Sequence, residues 1–81
     1  MKLEDVIKYF DEHNDVCINF NKTRPIVATM DFNNKYIEQF PKPKNEQGKL
    51  LVFSMTEWKY RLVDVQTIKS LFPLSQVLQN V

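Results

Sequence analysis

Leu3, Val6, Ile7 and Phe10 recur at i, i+3, i+4 and i+7, with Glu4, Asp5, Lys8, Asp11 and Glu12 between and after them. That spacing lines one side of a helix with apolar side chains and predicts an amphipathic helix over residues 2–13. Glu4 and Asp5 fall in its first turn, where the helix dipole favours negative charge, and Glu4 precedes Lys8 by four residues, the favourable order. So short a helix is marginal alone, and its apolar stripe is expected to dock on a sheet. His13-Asn14-Asp15 reads as the helix end. The period then changes to two: Val16, Ile18 and Phe20 alternate with Cys17 and Asn19, which predicts a strand. Residues 21–25 form a connector and residues 26–32 a second strand. Asn33-Asn34 suits a tight turn, since asparagine tolerates left-handed backbone. A third strand over 35–40 would then set Met30 opposite Ile37 and Thr29 opposite Glu38. Residues 33–40 also read as a short helix with Tyr36, Ile37 and Phe40 on one side. We take the strand as the expectation.

The most apolar stretch is KLLVFSMTEWKYRLVDVQTIKSLF, residues 49–72. Two runs rich in β-branched, aromatic and aliphatic residues, 50–55 and 60–65, flank the polar break Thr56-Glu57-Trp58-Lys59 and predict a hairpin. None of those four residues suits the positive φ angles of a two-residue primed turn, so a four-residue loop is expected. This register sets Met55 opposite Tyr60, Phe53 opposite Leu62 and Leu51 opposite Asp64. On the other face it sets Ser54 opposite Arg61, Val52 opposite Val63 and Leu50 opposite Val65. Val65, Ile68 and Leu71, spaced by three, suit one 3₁₀ turn between strands as well as a helix. Pro73 biases Phe72 towards extended backbone.

These elements predict a single α+β domain over residues 1–81, with its β-rich part at 16–74. The N-terminal helix would pack on a small, strongly bent antiparallel sheet, or on an SH3-like or OB-like barrel of five or six strands. An open antiparallel sheet with the helix on one face is the alternative. Residues 75–81 read as a helical turn or a tail.

Composition narrows function by exclusion. A single glycine among 81 residues argues against nucleotide-cradling loops. One cysteine excludes an internal disulfide, so nothing requires an oxidising compartment. Acids at Glu4 and Asp5 stand where a signal peptide has its apolar core, and no apolar run approaches the roughly 20 residues of a membrane helix. The expectation is a cytoplasmic protein with no membrane partner and no cofactor. Charge is uneven: residues 1–15 carry two lysines and five acids, and residues 16–81 nine basic and five acidic side chains. The asymmetry points either to an anionic partner for the β part or to attraction between the two parts.

Candidate chemistry is sparse. His13 and Cys17 are the one nucleophile and base pair, but across a helix end they need not face each other. With no second histidine or cysteine, the usual four-ligand zinc site cannot be built within one chain. Asp11, Glu12 and Asp15 read as a solvated face. Trp58, flanked by Lys59, Tyr60 and Arg61, is the interaction candidate. Trp, Tyr and Arg are the residues enriched at protein interfaces, and aromatics beside cations also stack on bases while the cations hold phosphates. The other reading folds the ring back over the sheet edge. Lys42, Lys44 and Lys49 form a second basic group on the proline-stiffened loop Pro41-Lys42-Pro43-Lys44, which could follow a phosphate backbone.

The stretch VFSMTEWKYRLVDVQTIKSLFPLSQVL, residues 52–78, covers roughly the last third of the chain. It resembles small uncharacterised proteins of phages and mobile elements of low-GC Gram-positive bacteria, through the aromatic-basic tip and the VDVQTIKSLFPL that follows. The resemblance implies binding rather than catalysis. The expected function is a non-enzymatic binding or regulatory module that contacts another protein through Trp58, Tyr60 and Arg61, with Lys59, Lys42 and Lys44 as the further candidate binding residues. The alternative is a small-barrel nucleic-acid binder using the same tip together with Lys42, Lys44 and Lys49. Self-association through free sheet edges stays open.

Overall fold

The computed structural model describes residues 1–79. Helix α1 (Leu3–His13) is followed by β1 (Asp15–Phe20), β2 (Ile26–Thr29), the one-turn helix α2 (Lys35–Glu38), β3 (Lys49–Ser54) and β4 (Lys59–Asp64). A 3₁₀ turn (Val65–Thr67) leads into β5 (Ile68–Pro73) and helix α3 (Leu74–Gln79). The five strands lie in the order β4-β3-β2-β1-β5, every neighbour antiparallel. The class is α+β, with the N-terminal helix on a bent sheet.

The alternation read in the sequence is the alternation of burial. Val16, Ile18 and Phe20 of β1 turn inward, level with Ala28 and Ile26 of β2. Val52 and Leu50 of β3 and Val63 of β4 continue the same face. Val6 and Phe10 of α1 close over it, with Ile7 and Tyr9 at the margin. Each Val, Ile or Phe taken fully from water contributes about 1.5–3 kcal/mol, so this face carries most of the stability.

Three expectations are corrected. First, the sheet is open, not a barrel: with residues 35–38 helical, five strands remain, and β4 and β5 end as separate edges. The Asp64 carboxylate caps the 3₁₀ turn between them by accepting the Gln66 amide at 3.0 Å.

Second, residues 35–38 are helical and β2 stops at Thr29. The Asn34 side chain accepts the Tyr36 amide at 2.9 Å, an N-cap in place of the expected hairpin turn. The helical turn brings Ile37 and Phe40, three apart, against the sheet: Ile37 is buried and Phe40 meets Phe53. Residues between β2 and β3 thereby cover the face opposite α1.

Third, the hairpin register is shifted by two residues. Ser54 faces Lys59, Phe53 faces Tyr60, Val52 faces Arg61 and Leu51 faces Leu62. Because the slip is two, each side chain keeps its expected face. The loop is still four residues long but spans Met55 to Trp58. At the other end, the helical reading of the last segment holds as far as Gln79, and Asn80 and Val81 lie outside the described residues.

Candidate functional site

The hairpin turn is fastened on both sides. Its Met55 amide donates to the Val27 carbonyl (2.7 Å), and the Val27 amide donates to Thr56 Oγ1 (2.9 Å). The buried Ser54 accepts the Glu57 amide on its hydroxyl (3.1 Å) and the Trp58 amide on its carbonyl (2.7 Å). Trp58 consequently sits at φ 61°, in left-handed backbone. Bulky residues rarely adopt it, because the Cβ crowds the following carbonyl at a cost of about 1–2 kcal/mol.

That backbone swings the indole onto the face away from α1. Its ring meets Phe53 edge to face, centroids 5.4 Å apart, and Phe40 at 6.4 Å. Phe53 is also met by Tyr60 at 5.2 Å and by Phe40 at 5.7 Å, and Tyr60 in turn meets Phe32 at 5.6 Å. Phe53 is fully buried at the centre of this group, whereas Trp58 remains 52% exposed. Lys42 Nζ lies 4.7 Å from the Phe32 ring centroid. Tilted and edge-to-face aromatic pairs contribute about 0.5–1.5 kcal/mol each beyond burial, and a cation over a ring adds a similar amount. The result is an aromatic surface built on a rigid floor.

The six residues singled out in the sequence do not form one patch. Trp58, Tyr60 and Lys42 lie together on the aromatic side. Lys59 and Arg61 alternate with Tyr60 along β4 and belong to the α1 side, where both reach Glu57 Oε2, at 3.7 and 3.3 Å. The Arg61 guanidinium also lies 5.8 Å from the Phe20 ring centroid. Lys44 is exposed on the loop, and Lys49 pairs with Glu46 at 3.0 Å. Phe32 and Phe40 belong to the surface and were missed. The i, i+3 spacing of Ile37 and Phe40 was the signal that could have found Phe40.

The remaining candidates are dispersed. The His13 ring meets Tyr9 in a tilted contact on α1, centroids 4.4 Å apart, whereas Cys17 points to the opposite face of β1 from the residues α1 covers. Among the described residues no group of three or more His, Cys, Asp and Glu side chains is placed to hold a metal ion. No described helix is long and apolar enough to cross a membrane. Among the described residues no ion pair joins the acids of α1 to the cations of the sheet, so attraction between the two parts does not take the form of salt bridges. Comparison of the chain with protein-family models, curated proteins and solved structures finds no match.

Proposed function

We propose that this chain is a small, non-enzymatic binding domain, of phage or mobile-element type, that docks on another protein in the cytoplasm through the Trp58 surface. The observation that carries the reading is the state of Trp58: half exposed, in strained backbone, on a buried aromatic floor. Strain of this kind persists where the surroundings over-determine it, and it clusters at binding sites. Large aromatic rings with little freedom left to lose are also the usual anchors of protein interfaces. The partner that suits this surface offers an apolar side chain to the ring group and a carboxylate to Lys42.

Nucleic acid is the second reading. Lys42 over Phe32, followed by Lys44 on an extended loop, sets cations beside rings as a single strand would need. The tip supports the protein reading instead, because Lys59 and Arg61 stand on the face away from the rings.

The test is capture from lysate with wild type, Trp58→Ala and Lys44→Ala. The reading expects a protein recovered by wild type and Lys44→Ala but lost with Trp58→Ala. Equal recovery of every protein by all three removes it. Capture of nucleic acid that disappears as salt is raised would favour the second reading.

A further inference from the structure

The two edges of the sheet differ. Along β5, Pro73 has no N–H to offer and the Tyr9 hydroxyl donates to the Leu71 carbonyl at 3.5 Å. Along β4, the Asp64 carbonyl accepts the Thr67 hydroxyl at 2.7 Å. From Lys59 to Val63, however, no backbone group bonds to any segment but β3 among the described residues. An unpaired row of N–H and C=O groups is a template for a further strand.

The surroundings of that edge define what would pair there. Two depressions, of about 260 and 270 Å³, meet at Thr23 and Arg61 on the α1 side. Arg24 and Arg61 line the first with Glu57, Lys49 and Arg61 line the second with Asp64, and Lys59 stands beside Glu57 at the turn. On the opposite side, Tyr60 and Leu62 are half-buried, and Tyr60 continues into the aromatic surface through Phe53 and Phe32. A strand laid along β4 would meet cations on one face and apolar side chains on the other.

We propose that β4 takes up an extended peptide by strand addition, with alternate side chains acidic towards Lys59 and Arg61 and apolar towards Tyr60 and Leu62. The inference rests on the protein-binding reading and names the shape and chemistry of the partner segment. Main-chain hydrogen bonds supply affinity and the alternating side chains supply choice. A second copy is the poorer occupant. Pairing β4 with its own copy about a two-fold axis keeps like faces together and gathers Lys59 and Arg61 of both chains on one surface, where like charges oppose pairing.

The experiment is a titration of the whole chain with a synthetic peptide alternating glutamate and valine, and with its lysine-valine counterpart, followed by amide spectra and anisotropy. The expected result is shifts at the amides of residues 59–64 with the glutamate peptide only. Lys59→Glu, which alters an exposed side chain and leaves the core intact, should weaken that peptide about fivefold, the worth of one exposed charge pair. Equal affinity for the two peptides, shifts confined to β5, or shifts at β4 that grow with protein concentration without peptide would each overturn the proposal. If β4 gives no shift but Trp58→Ala still abolishes partner capture, strand addition fails and the aromatic surface stands. If β4 shifts while capture ignores Trp58, strand addition stands and the aromatic surface fails.

Discussion

Phe53 and Trp58 meet edge to face, ring planes 70° apart, one ring sealed inside the domain and the other half in water. Phe53 is thus the floor and Trp58 the exposed face of one aromatic group. The floor is a core residue by any measure. Phe53→Ala should cost about 3–5 kcal/mol, enough to unfold much of a small domain, whereas Phe53→Leu should cost about 1 kcal/mol. Urea unfolding followed by circular dichroism separates the two.

Trp58 should reverse the usual ranking of alanine and glycine. Both substitutions lose the same ring contacts, but only glycine accepts φ 61° without penalty. Trp58→Gly should therefore be more stable than Trp58→Ala by about 1 kcal/mol. Equal midpoints, or alanine ahead, would mean that the turn relaxes to another backbone.

Asn34→Ala removes the side chain that accepts the Tyr36 amide. The loss should be about 1 kcal/mol and local, because α2 is a single turn. Amide exchange at residues 36–40 should accelerate while exchange in β1 and β3 stays at its wild-type rate. A uniform acceleration across the chain would instead make α2 part of the global unfolding unit.

Gly48 sits at φ 79° just before β3, and a Cβ there would meet only open space. Gly48→Ala therefore isolates backbone strain, and about 1 kcal/mol of destabilisation is expected in the same urea assay. No loss at all would show that the loop can enter β3 by another path.

The sequence made some of this visible and hid the rest for definite reasons. The period-3.6 stripe of Leu3, Val6, Ile7 and Phe10 and the period-2 run Val16–Phe20 located α1 and β1, because each element has one face to bury. Residues 35–38 were misread because Asn33-Asn34 suits both a turn and a cap; contact of Phe40 with Phe53, 13 positions on, decides between them, and its local trace is only the i, i+3 spacing of Ile37 and Phe40. The register slipped by two because no propensity rule assigns left-handed backbone to a tryptophan. The site was half legible. Trp58 and Tyr60 stood out by residue type, but the pleat of β4 sends Lys59 and Arg61 to the other face, and Phe32 joins only through the fold.

Trp58 is the sole tryptophan, so its emission reports on the proposed contact without interference. The deciding measurement is acrylamide quenching of that emission, first in the free chain and then in complex with the protein captured by wild type. The account predicts ready quenching of the free ring and marked protection in the complex. Equal quenching in both states would contradict it, because a partner would then be bound with the indole still facing water.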